Sequence, residues 1–219
     1  CTIVCYDARG HARSEAPPEP EAYEFERLVD DFERVVEQTG AQRVVAGGVS
    51  LGAATALGFA RRRPERVRGL LLASVTGEVD ARKHWATEFA DAIERDGLEV
   101  AGERFVWGER SRFDPAGAKL IRLGLLEHAP LALAAILRRT LAVIPEPDDA
   151  ARELAGRDFA SLIVAGADDK RAIPASEALA RILPQPELLV IPNAGHVVNL
   201  AAPAAFDAAL KRLVDRAPE

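Results

Sequence analysis

Methionine is absent from the 219 residues, and cysteine occurs only twice. With no initiator residue present, a longer translation product is expected. The two cysteines, Cys1 and Cys5, lie in one strand-like segment, where an extended chain holds them too far apart for a disulfide. They read as small core hydrophobes of a reducing compartment, the cytoplasm. A mature lipoprotein also begins with cysteine, but Cys1 enters the strand directly, without a tether. No apolar run is long enough to span a bilayer, and no signal peptide is visible, so no membrane partner is expected. The net charge is -6 and no basic cluster exceeds Arg61-Arg62-Arg63, which argues against nucleic acid as a partner. No internal repeat, low-complexity segment or metal-ligand cluster stands out.

What is present is apolar: 48% of the chain is hydrophobic, enough for one domain carrying an inserted lobe. Thr2 to Tyr6 is β-branched and apolar and reads as a buried strand. A loop follows, through Arg9-Gly10-His11 and three prolines. Phe25, Leu28, Val29, Phe32, Val35 and Val36 then recur at helical spacing within residues 24–39, a segment closed by Gly40. Arg43 to Ala46 reads as a strand, residues 53–60 as a buried helix ended at Pro64, and Val67 to Ala73 as another strand. Between Gly77 and Gly156 helical stretches dominate, with no convincing strand. Strand and helix alternation then resumes: strands at 161–165 and 188–191, helices at 174–183 and 203–216. Non-alternating strands separated by helices imply an α/β fold with a mostly parallel sheet covered on both faces. The chain thus divides into an N-terminal core segment (1–76), an inserted helical cap lobe (77–156) and a C-terminal core segment (157–219).

The chain is organised around Gly48-Val49-Ser50-Leu51-Gly52. A strand leads into it and a helix leads out, the setting of a nucleophile elbow. Such a turn strains the serine backbone. The flanking glycines are expected to relieve crowding, and the helix start aims N–H groups at developing negative charge. The plain alternative is a serine that caps the helix. A serine nucleophile needs a base, and the base an orienting carboxylate. Asp168 and Asp169 follow one strand and His196 follows the next. In a parallel sheet, strand ends share one rim. Alone, each of these would pass for a loop acid or a loop histidine. Together, in the order Ser, Asp, His, they form a candidate catalytic set.

Five stretches give the chain a family resemblance: Tyr6-Asp7-Ala8-Arg9-Gly10-His11, the elbow, Arg63-Pro64-Glu65-Arg66-Val67, Val164-Ala165-Gly166-Ala167-Asp168-Asp169 and Pro192-Asn193-Ala194-Gly195-His196. It resembles the α/β-hydrolase fold superfamily, near the small bacterial esterases and the 3-oxoadipate enol-lactonase-like members. That resemblance implies Ser50 as nucleophile, Asp169 as acid with Asp168 as runner-up, and His196 as base. It further implies the Leu51 N–H as an oxyanion donor and Val49 as a pocket residue. The substrate would be a small carboxylic ester or lactone, cleaved through an acyl-enzyme without a cofactor. Trp85 and Trp107, with Phe89, Phe105 and Phe113, are lobe aromatics that could contact substrate or form the lobe core.

Two departures are visible. The family usually has glycine where Ala12 stands. It also has earlier strands and a His-Gly loop that supplies a second oxyanion donor, with one of those strands lying between residues 2–6 and 43–46. Either upstream residues supply these, or the 2–6 strand shifts to close the gap and Gly10 or His11 stands in as donor. Losing one such donor costs about a hundred- to a thousandfold in turnover, so weak catalysis is expected from residues 1–219 alone. A perhydrolase or C–C hydrolase could use the same triad, and a binding protein could keep the fold without turnover. The oligomeric state is not legible.

Overall fold

The computed structural model describes residues 1–108 and 118–218. Four strands form one parallel sheet in the order β1 (Val44–Val49), β2 (Val67–Ala73), β3 (Ala160–Gly166) and β4 (Pro186–Ile191). The register aligns Val49 with Ala73, and Ala73 with Val164, so successive strands end on one rim. β3 is buried along its whole length, as its unbroken apolar run requires. β4 alternates between exposed and half-buried positions up to the buried Ile191, because it is an edge strand and its outer face meets solvent.

Helices cover both faces. On one side lie α1 (Phe25–Gln38), α2 (Leu51–Arg62), α6 (Pro147–Leu154) and α7 (Ala172–Ile182), which share a core with Val29, Leu57, Phe59, Leu72, Leu154, Ile163 and Leu179. On the other lies α9 (Pro203–Arg216), preceded by the short α8 (Val198–Ala201); Ala209 and Leu213 pack there against Leu71, Leu162 and Val164. Between β2 and β3 come α3 (Val79–Gly102), α4 (Ala118–Leu126) and α5 (Pro130–Ile136), with π-helical turns at Glu103–Trp107 and Leu137–Leu141. They enclose a second core around Phe89, Ile93, Phe105, Leu133 and Leu137. α3 breaks at Gly97, whose φ of 81° suits glycine. α6 follows these helices in sequence but packs with the sheet, through Ala151 and Leu154.

The N-terminal segment departs from the expected strand. Among the described residues, none pairs with residues 1–6 as a strand; Tyr6 meets Phe32 edge-on, but Ile3 and Val4 are 73% and 54% exposed, and both cysteines are exposed rather than in the core. A strand gains little without a neighbour to satisfy its N–H and C=O groups. No described residue lies as a strand between this segment and β1, and the segment does not shift to reach it. The chain is bonded to the fold at Arg9. Its guanidinium forms a two-point ion pair with Asp31 (2.6 and 2.7 Å) and also donates to the Ala22 carbonyl. Ala12 sits at φ 42°, a conformation that favours glycine. The His11 ring meets that of His128, just beyond α4, with centroids 4.6 Å apart. Burial, and secondarily the charge of His11, holds His128 below the usual imidazole range. Among the described residues, no single helix is long and apolar enough to cross a membrane.

Candidate active site

Ser50 sits between β1 and α2 with φ 55° and ψ -115°. Two backbone bonds hold it there: its N–H donates to the Ala73 carbonyl (2.8 Å), and its own carbonyl accepts from Ala54 N–H (3.1 Å). The hydroxyl makes no helix-capping bond, so the plain capping alternative fails. It lies 3.0 Å from His196 Nε2 instead. The two elbow glycines differ. A Cβ on Gly48 would come within 2.3 Å of the Gly52 carbonyl carbon, whereas one on Gly52 would meet nothing within 4 Å. Crowding relief therefore belongs to Gly48 alone. Gly48→Ala is expected to destabilise the fold by about 3 kcal/mol or more, because backbone cannot yield as a side chain can. Gly52→Ala should leave the denaturant midpoint nearly unchanged. Equal midpoints for the two variants would refute this.

His196 and Asp169 are both buried, with the Nδ1 to Oδ2 distance 2.6 Å. A carboxylate only accepts, so Nδ1 carries the proton and Nε2 is left to accept from the Ser50 hydroxyl. Asp168 is exposed one residue away and takes no part in this contact. The two loops meet because Gly166 has no side chain: a Cβ there would lie 2.2 Å from the Ala194 carbonyl oxygen. Asp168 N–H then donates to that carbonyl (2.9 Å). Leu51 is the first residue of α2, where helix geometry leaves the N–H without a carbonyl four residues back. The stand-in donors considered for a shifted 2–6 strand have other backbone partners: Gly10 N–H is bonded to Glu15 O (2.8 Å) and His11 N–H to Ala8 O (2.9 Å).

A cavity of about 100 Å³ opens at Ser50. Three residues expected at a pocket do not border it. Val49 packs with the core on the α9 side, since alternation along β1 turns it to that face. Trp85 lies against Phe89 and Phe105, with centroids 5.3 and 6.3 Å apart, inside the helical core. The Trp107 ring lies on the Gly102 backbone, where a Cβ would sit 1.9 Å from it. Phe89 and Phe105 are buried in the same core, and Phe113 lies outside the described residues.

Two residues at the site belong to none of the sequence motifs. Ser74 follows β2 on the rim at φ 54°, is fully buried, and donates from Oγ to the His196 carbonyl (2.6 Å). Its place just past a strand end, like that of Asp169 and His196, was the available signal. Arg82, buried at the start of α3, borders the cavity and donates to the carbonyls of Leu141 (3.0 Å), Thr76 (3.1 Å), Gly77 and Ile144. Burial lowers its guanidinium pKa, partly offset by the charge of Glu146. It ties the ends of the inserted helices together where they leave and rejoin the sheet.

A parallel sheet wrapped by helices, with a serine on a strained strand-to-helix turn beside a histidine–carboxylate pair, is the architecture of a hydrolase. The family model described as "Alpha/beta hydrolase family" matches residues 1–209, and the chain belongs to that family. It is similar to a pimeloyl-[acyl-carrier protein] methyl ester esterase of Nitrosospira multiformis, 31% identical over 84% of this chain and 72% of the relative. It is also similar to 3-oxoadipate enol-lactonase 2 of Acinetobacter baylyi, 22% identical over 98% of this chain and 79% of the relative. Among solved structures, a thermophilic esterase from Thermogutta terrifontis superposes with a TM-score of 0.78 at 24% identity, over 96% of this chain and 78% of that one. The protein is thus a hydrolase enzyme with esterase and lactonase relatives.

Proposed function

We propose that the protein cleaves a small carboxylic ester or lactone through an acyl-enzyme, with Ser50 as nucleophile, His196 as base and Asp169 as the acid that orients it. Nε2 takes the hydroxyl proton as Oγ bonds to the carbonyl carbon, and the carbonyl oxygen becomes an oxyanion beside the Leu51 N–H. Collapse breaks the bond to the leaving oxygen, which receives the proton from Nε2. Water then repeats the cycle on the acyl group, giving the acid and restoring Ser50. The observation that carries this reading is the unbroken chain Ser50 Oγ–His196–Asp169, with links of 3.0 and 2.6 Å and both partners of the second link buried. The relatives, an ester hydrolase and a lactonase by name, agree with it. The inserted helices act as a cap over the rim, anchored by Arg82.

A fluorophosphonate probe tests the proposal. Covalent labelling of the native protein at Ser50, located by peptide mass spectrometry, is the expected result. A folded protein that remains unlabelled would fit a binding role for the fold instead.

A further inference from the structure

Among the described residues, none of the aromatic side chains of the inserted helices borders the cavity at Ser50. It follows one stripe of α2, bordered by Leu51, Ala54, Leu57, Gly58 and Arg61. Steps of three and four residues keep these on one helix face. At helical rise, Ser50 to Arg61 covers about 16 Å. Facing them are Phe25 at the start of α1, and Ile144, Pro145, Pro147 and Ala150 in and before α6. A void of about 150 Å³ takes up a benzene ring. A cavity of about 100 Å³ along this stripe is a slot smaller than that void. Its walls are largely apolar. Arg61 lies last along the stripe, within 3.8 Å of Glu26, and both side chains are solvent-exposed.

We propose that this slot holds the acyl chain of the substrate, which makes the substrate an unbranched acyl ester of about eight to twelve carbons. The proposal rests on Ser50 being the nucleophile. An extended chain advances about 1.2 Å per bond, so about thirteen bonds would reach Arg61 from the serine. The acyl side is assigned by where the proton must go. The leaving oxygen has to sit beside His196 Nε2 to be protonated, yet neither His196 nor Asp169 borders the slot. The part of the substrate that stays on Ser50 is therefore assigned to α2, away from Nε2. Gly58 helps to form the slot: a Cβ there would lie 2.8 Å from Val29 and 3.2 Å from Phe25, so its absence lets α1 close the wall.

The test is a chain-length series of p-nitrophenyl esters, acetate to dodecanoate, on the native protein, Ala54→Phe and Ala150→Phe. Ala54 lies about 6 Å along the helix from Ser50, so phenylalanine there plugs the slot beyond the first few carbons. Ala150→Phe narrows it from the opposite wall and serves if the first variant fails to fold. The native enzyme should favour octanoate or decanoate over acetate. The octanoate-to-butanoate ratio of kcat/KM should fall at least tenfold in a folded variant. A ratio unmoved in both folded variants, or a native preference for acetate, overturns the slot while leaving Ser50 as nucleophile. If no ester turns over and no probe labels Ser50, the hydrolase reading fails by itself. Decanoate titrated calorimetrically then decides the slot: binding that weakens at least tenfold in a folded variant supports it, and no binding to the native protein overturns it.

Discussion

Replacing Ser50 with alanine is expected to lower ester turnover by about a hundred thousand- to a millionfold, with the thermal midpoint almost unmoved. The rate estimate follows from what is lost. Members of such a triad act as a unit, and removing the serine leaves only the acceleration that binding and oxyanion donors supply. No neighbour can substitute: the Ser74 hydroxyl, also on the rim, is engaged with the His196 carbonyl. The stability estimate follows from what is kept. Both bonds that hold the elbow are backbone bonds, from Ser50 N–H to Ala73 and from Ala54 N–H to Ser50. Alanine at φ 55° carries the same left-handed strain as serine, so the strain cancels between native and variant. Turnover on a reactive ester and a melting curve check the two halves together. More than about one per cent of native turnover, in a preparation free of contaminating esterase, would show that Ser50 is not the attacking group.

The features of this site that could be read from the sequence are those set by chain-local rules. Strand, turn and helix around Ser50 follow from an apolar run, glycines and a second apolar run. Asp169 and His196 follow from lying just past strands, because a parallel sheet brings strand ends to one rim. The strand-end rule alone does not choose between Asp168 and Asp169; the family resemblance favours Asp169, and the loop conformation buries it while exposing Asp168. One local rule failed: residues 2–6 have the composition of a buried strand, but among the described residues no strand pairs with them. Val49, Trp85 and Trp107 lie away from the cavity for another reason. Which face of a strand or helix meets a cavity is decided by what packs on the other side. Nothing in the spacing of those residues encodes that Val49 packs on the core of the α9 side or that Gly102 receives an indole ring. Ser74 lay furthest beyond local pattern, since its one side-chain bond joins residues 122 apart.

Asp169→Asn is expected to cost about ten-thousandfold in turnover, while Asp168→Asn changes it by less than about twofold. Both variants remove one carboxylate from the same loop, so any general effect of charge on the rim is common to them. The difference lies in the partner. Asp169 Oδ2 accepts from His196 Nδ1 at 2.6 Å, with its side chain 4% exposed and that of the histidine 8%. An amide of the same shape can turn its NH2 toward Nδ1. The imidazole then accepts at Nδ1 and moves its proton to Nε2, which faces Ser50. A protonated Nε2 cannot take the serine proton, so the serine stays a poor nucleophile although every atom remains near its native place. Asp168 meets solvent, and its backbone N–H bond to Ala194 survives the substitution, so the two loops stay joined. Steady-state rates give the ratio, and fluorophosphonate labelling gives the nucleophilicity of Ser50 directly; both should fall in Asp169→Asn and neither in Asp168→Asn. Comparable losses in the two variants would mean that the loop contributes only charge. An Asp169→Asn enzyme within tenfold of native would mean that the imidazole needs no carboxylate to hold its tautomer.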